Sequence, residues 1–191
     1  LDDLSRALPH VTLHLYFGSG QDLELRVRTG EVDCAVTSRS TTDPKLTSQR
    51  LHTETYVLVG ARSLLRRHPL ARPEDARDHV LIDAHAAALP LFRYLRDAPG
   101  APSLAFASTR ALGTIAAIRQ VVLKGRGVAV LPDYLVQGDL ARRRLVRLLP
   151  KVRPLSDHFR LLYRRDDPRS ALFVTLAREM LRRAVGAGIC R

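Results

Sequence analysis

The chain has 191 residues, 46% hydrophobic and 26% charged, with a formal net charge of +12 at pH 7. That balance excludes a disordered chain and leaves enough apolar material for one good core or two small ones. No apolar run nears the roughly 18 residues of a membrane span. Leu1-Asp2-Asp3-Leu4 has neither the basic nor the apolar region of a signal peptide, so the expectation is a cytoplasmic protein with no membrane partner.

Leu1, Leu4 and Leu8 share a helical face, and Pro9 marks the exit from that helix. Val11, Leu13, Leu15 and Phe17 alternate, which predicts a strand over Val11–Phe17, and Gly18-Ser19-Gly20 is a tight loop. Gln21–Thr29 fits either period. It is assigned as a helix ending at Gly30, because Val32–Val36 resembles a buried parallel strand and a parallel pair needs a crossover element. After a polar loop, Leu51–Val59 predicts one long strand and Ala61–Arg67 a helix. A second alternating series follows: strand Val80–Ile82, helix Leu89–Leu95, strand Ser103–Ala107 and helix Thr109–Lys124 stopped by Gly125. Strand Gly127–Leu131 leads to Pro132, which is tolerated at the start of a helix. Strands Leu145–Leu149 and Phe159–Tyr163 and an amphipathic helix over Arg169–Val185 complete the chain. This alternation predicts an α/β protein with two small doubly wound sheets, the chain crossing between them near Thr53–Thr55 and near His158–Leu161.

In open α/β sheets ligands bind beyond the carboxyl ends of strands, where loops feed helix N-termini. That rule selects Ser19 and Gly20, then Thr37, Ser38 and Arg39, then Asp83 and His85, and lastly Ser108 and Thr109 as candidate binding residues. Ser19 and Ser108 are each placed to cap a helix whose first amides attract an anion; simple capping is the alternative for each hydroxyl taken singly. Catalysis has little support. Asp75, Asp78 and Asp83 crowd with His79 or His85 but match no metal spacing. Gly-x-Ser-x-Gly, phosphate-loop and dinucleotide patterns are lacking. Gly125 reads as a left-handed helix cap and Gly127 as a strand entry. No catalytic residue, metal or cofactor is assigned.

Two cysteines make no framework. Cys34 reads as a small buried hydrophobe and Cys190 as a tail thiol, with a redox pair between them as the alternative. The arginines come in scattered groups, among them Arg62, Arg66 and Arg67, and Arg142 to Arg144. With five Phe, five Tyr and no Trp there are few surfaces for base stacking, so the charge reads as a solvated basic surface and not as a DNA groove.

Four stretches carry a resemblance: Gly30-Glu31-Val32-Asp33-Cys34-Ala35-Val36, Leu51–Val59, His68-Pro69-Leu70-Ala71 and Gly125–Pro132. Together they resemble the effector-binding domain of LysR-type bacterial transcriptional regulators over nearly the whole chain. The resemblance implies a two-lobed fold similar to type II periplasmic solute-binding proteins. Lobe I is then residues 1–53 and 160–191, lacking its first strand, and lobe II is residues 54–159. A winged helix-turn-helix DNA-binding domain is absent from this chain, so DNA is contacted only through that missing part. The resemblance also implies that a small, anionic metabolite is held in an interlobe cleft by residues matching Ser19, Thr37 or Ser38, and His52. The domain is expected to form a homodimer or homotetramer, with the helix over Leu1–Leu8 and the helix over Thr109–Lys124 pairing across a two-fold. A solute-binding protein of a transport system, on the same fold, is the alternative.

Overall fold

The structure, a computed structural model, describes residues 2–186. In chain order it runs through α1 (Asp2–Ala7), α2 (Gly20–Thr29), β1 (Cys34–Thr37), β2 (Leu46–Glu54), β3 (Tyr56–Ala61) and α3 (Arg62–Arg67). A 3-10 turn over Pro73–Asp78 leads to β4 (Val80–Asp83), α4 (Arg93–Arg96), β5 (Ser108–Ala111), α5 (Ile115–Leu123) and β6 (Val128–Pro132). Then come α6 (Asp133–Ala141), β7 (Leu145–Arg147), β8 (Asp157–Arg164) and α7 (Ser170–Gly186). The chain divides into two compact units, a discontinuous first unit formed by residues up to Thr53 and from Asp157 on, and a second unit formed by Glu54–Ser156.

The first unit is built on a three-stranded sheet of order β1-β8-β2. β1 runs antiparallel to β8, in a register that pairs Ala35 with Leu162 and Thr37 with Arg160. Over one face lies α2, whose Val27 packs with Ala35, Leu46 and Leu162. This helix forms where the sequence signals placed it. The extended Ser19 accepts the Asp22 amide at 3.2 Å, and Gly30 closes the helix at φ 82°, a conformation glycine adopts without steric cost. A second apolar cluster joins Leu51, Leu161 and Tyr163 to Leu8, Phe173, Leu176 and Ala177.

The expected strand over Val11–Phe17 is not a strand. The segment has no ladder partner, and Leu15 and Phe17 are exposed, Phe17 to 85%. Alternation marks a chain suited to a sheet, but a strand exists only when an edge is available to it. Among the described residues β1 pairs with β8 alone, so the expected parallel partnership of Val11–Phe17 with the following strand is absent.

The second unit holds a mixed five-stranded sheet of order β5-β4-β6-β3-β7. β4 runs parallel to β5 and β6, whereas β3 is antiparallel to β6 and β7. Every residue of β3 and β6 is buried, the pattern of central strands covered on both faces. One face packs Tyr56, Leu58, Leu81 and Val130 with Phe92, Tyr94 and Leu95. The other packs Val57, Val59, Ala129 and Leu131 with Ile118 and Val122 of α5 and Val136 of α6. Gly127 has φ 154°, and a Cβ there would meet the Val80 carbonyl oxygen at 2.5 Å, so close passage beside β4 demands glycine.

Several boundaries move. The single strand expected over Leu51–Val59 is two, β2 and β3, interrupted at Thr55 and belonging to different sheets. The helix expected over Leu89–Leu95 shrinks to α4, because Leu89 has φ 44° and Pro90 cannot donate to a helical ladder. The strand expected over Ser103–Ala107 lies instead at β5, which is exposed throughout, while Leu104 and Phe106 pack on the core from a loop. The helix expected from Thr109 begins only at Ile115, capped by Thr114, whose hydroxyl accepts the Ala117 amide at 3.3 Å.

Candidate functional site

Within the first unit the C-terminal end of β1 meets the start of α2. A Cβ on Gly20 would lie 3.1 Å from Thr37 Oγ1 and 3.3 Å from Arg39 Cβ, so the two candidate loops touch, and the small residue permits it. Thr37 is buried, and its hydroxyl accepts the Arg39 amide at 3.1 Å, folding Thr37-Ser38-Arg39 into a tight turn. Ser19 uses its hydroxyl on the Asp22 amide and its carbonyl on the Leu23 amide. Among the described residues the two earlier amides, of Gly20 and Gln21, have no acceptor. Such first-turn amides point their partial positive charge at an incoming anion.

Arg39 is not a free cation. Its Nε donates to Glu24 at 2.7 Å, and Thr41 Oγ1 donates to the same carboxylate at 2.5 Å. The Thr41 hydroxyl, foremost, and the Arg39 guanidinium hold Glu24 below the usual carboxylate range. Arg39 therefore ties its turn to α2.

Sequence reasoning missed the cation on the other side of this turn. Arg160 stands opposite Thr37 in the β1–β8 register, and its Nη1 donates to the Ser38 and His158 carbonyl oxygens, both at 3.3 Å. Next to it, Arg50 Nη2 contacts Thr53 Oγ1 at 2.6 Å and His158 Nδ1 at 2.9 Å. No signal along the chain joins these residues, since β1 and β8 lie more than a hundred positions apart. His52 is half-buried on β2, and desolvation lowers its pKa, so burial favours the neutral imidazole.

The candidates of the second unit serve other ends. Asp83 is fully buried and accepts the amides of Ala84 at 2.6 Å, Phe92 at 2.8 Å and Leu91 at 3.2 Å. It staples the loop after β4 and has little capacity left for a ligand. His85 is exposed and accepts the Ala88 amide at 3.2 Å. Ser108 and Thr109, expected at a helix start, lie in the exposed edge strand β5, so Ser108 caps nothing.

The group around Asp75 does not assemble a reactive centre. Asp75 accepts the Arg72 and Ala71 amides, which lower its pKa, and so closes the 3-10 turn. His79 is buried with neither ring nitrogen hydrogen-bonded. Among the described residues no group of three or more His, Cys, Asp or Glu is arranged to hold a metal, and no helix is long and apolar enough to cross a membrane. Burial, foremost, pushes the Cys34 thiol up to about 11, which favours the protonated form at neutral pH. Cys190 lies outside the described residues.

The family model of the LysR substrate binding domain matches residues 1–185. No curated protein matches the chain. Among solved structures, CrgA, a LysR-type transcriptional regulator from Neisseria meningitidis, is 21% identical with a TM-score of 0.72, covering 94% of this chain and 60% of that one. The regulatory domain of AphB from Vibrio vulnificus is 20% identical with a TM-score of 0.70, covering 92% and 87%. Full-length LysG from Corynebacterium glutamicum, solved with bound effector Arg, is 16% identical with a TM-score of 0.73, covering 95% and 62%. This chain thus spans about 60% of the full-length regulators it resembles. At these identities the likeness is one of fold, and the fold is α/β of the type II periplasmic-binding-protein-like kind.

Proposed function

Because the chain belongs to the family of LysR substrate binding domains, we propose that it is the sensor of a cytoplasmic transcriptional regulator and that a small anionic metabolite is its effector. The observation that carries this reading is the close approach of Gly20, next to the α2 cap Ser19, to Thr37 and Arg39, with the Arg160 guanidinium on the Ser38 carbonyl of the same turn. It gathers two helix N-terminal amides, small hydroxyls and a cation on one end of the first unit's sheet. Such a set suits a carboxylate: the amides and hydroxyls donate to its oxygens and Arg160 balances its charge. His52 belongs to the same proposal as a neutral donor. In the second unit His85, Ser108 and Thr109 are retained as exposed candidates, and Asp83 as a support for its loop.

An effector acts only through differential affinity for two states of the regulator. In the full-length protein this bias would be passed to a winged helix-turn-helix domain that reads the operator, in a homodimer or homotetramer. We propose further that the first unit's sheet takes one more strand at the free edge of β1. Three observations support it: β1 is an edge strand, Val36 is exposed on it, and Val11–Phe17, with its alternating apolar residues, has no ladder partner among the described residues.

A thermal-shift panel of small carboxylates, amino acids and aromatic acids tests the function. At 100 times its dissociation constant a ligand stabilises the fold by about 2.7 kcal/mol. The expected result is a hit that Ser19→Ala or Thr37→Val weakens. A hit insensitive to both substitutions would remove the proposed site, and a silent panel would count against an anionic effector.

A further inference from the structure

The charge excess is not shared evenly. The second unit, Glu54–Ser156, holds seventeen Lys and Arg against eight Asp and Glu, whereas the rest of the chain holds fourteen against eleven. Its acids are mostly spent. Glu54, Asp83 and Asp139 are buried, and Asp75, Asp97 and Asp133 pair with Arg72, Arg96 and Arg147.

Folding collects the unspent cations. The turn that follows α5 lies against α3, since a Cβ on Gly125 would be 3.4 Å from Ser63 Oγ and 3.6 Å from Leu64 Cβ. The turn that follows α6 also meets α3, where the Arg62 amide donates to the Arg144 carbonyl at 3.0 Å. Three segments far apart in the chain thus bring together Arg62, Arg66, Lys124, Arg126, Arg142 and Arg143. All six are exposed, and none forms an ion pair among the described residues.

A helix C-terminus favours cations, which accounts for Lys124 and Arg142 taken alone. It does not account for Arg62, which opens α3 where a cation is unfavourable and where the first turn carries no acid. Six unneutralised cations on adjoining segments repel one another, a cost that an external polyanion removes. None of the large exposed apolar side chains lies on α3 or on either turn, so the face lacks the apolar anchors of a protein interface. Scarce aromatics exclude a base-stacking platform.

We infer that α3 and the two turns flanking it form a surface for the phosphate backbone of double-stranded nucleic acid, bound without regard to sequence. Arg and Lys contacts of this kind position a protein on a duplex and carry no base readout. The contact would add to whatever sequence-specific binding an attached domain provides, and it does not depend on the effector site.

The test compares two variants of this chain with the same net charge. One carries Arg62→Ala, Arg126→Ala and Arg142→Ala; the other carries Arg28→Ala, Lys45→Ala and Arg178→Ala, exposed cations of the first unit. Binding of a short duplex of arbitrary sequence is followed by fluorescence anisotropy across a salt series, with unfolding midpoints confirming that both variants fold. For the first variant the slope of log K against log salt is expected to fall by about 2.7, or about 0.9 per lost phosphate contact. The second should keep the slope of the parent. An equal fall in both would mean that net charge alone drives binding, and would overturn the inference. So would a duplex that fails to bind, or a polyglutamate chain that binds through these residues where the duplex does not.

Discussion

The two units differ in how completely they are finished. In the second, β3 and β6 are buried on both faces and two apolar clusters sandwich the sheet. In the first, the sheet has three strands, the outer edge of β1 has no partner among the described residues, and an apolar groove of about 410 Å³ opens between β1 and the Val11–Phe17 segment. The better-built half is thus not the half with the polar turn. The second unit is a scaffold whose buried aspartates are tied down, Asp83 by backbone amides and Asp139 by Arg119 and Arg144. The first keeps the Gly20 and Gln21 amides, the Ser19 hydroxyl and Arg160 at least partly open to solvent, the condition a ligand site requires.

Asp139 is fully buried between the Arg119 guanidinium, 2.7 Å away, and that of Arg144. Losing the charge-assisted hydrogen bonds that it accepts costs about 1.5–3 kcal/mol, so Asp139→Ala should unfold the second unit at markedly lower urea. A loss under about 1 kcal/mol, the scale of an exposed pair, would show that this unit is not locked as described.

A smaller effect is expected in the first unit on acidification. Hydrogen bonds from the Arg169 guanidinium and amide and from Arg164 hold Asp167 at about 2, below its ordinary 3.8. The folded state therefore binds this proton less readily than the unfolded chain. The stabilisation is fully present above the ordinary value and is lost as the pH falls towards about 2. Acid titration of Asp167→Asn should lack this component, and an unchanged acid profile would remove Asp167 from the account.

The smallest effect sharpens the site itself. Ser19→Ala removes the cap of α2 and should cost about 1 kcal/mol by chemical unfolding, while Ser19→Gly should cost only a few tenths. If Ser19→Gly keeps stability and still weakens effector binding, the hydroxyl serves the ligand as well as the helix.

Legibility in the sequence followed the range of the causes. α2 was readable because Ser19, Gly30 and the apolar spacing between them act within one helix. The same strand-to-helix rule picked out Thr37, Ser38 and Arg39, and the fold brings Thr37 and Arg39 against Gly20. β5 was missed because its four residues are exposed and carry no alternating signal, whereas Leu104 and Phe106 alternate from a loop packed on the core. Asp83 stood out as a candidate ligand residue, yet its acceptors are filled by backbone amides from the following loop, which no spacing announces. Arg160 and the basic face of α3 were invisible for a related reason: each depends on segments joined only by tertiary contact.

Whether the polar turn of the first unit receives the effector is decided by amide hydrogen exchange with and without a ligand found in the thermal-shift panel. Protection is expected to rise most over residues 18–23 and 37–41, with β3 and β6 already protected and little changed. Protection that rises only within the second unit, leaving those two segments as they were, would contradict the proposed site.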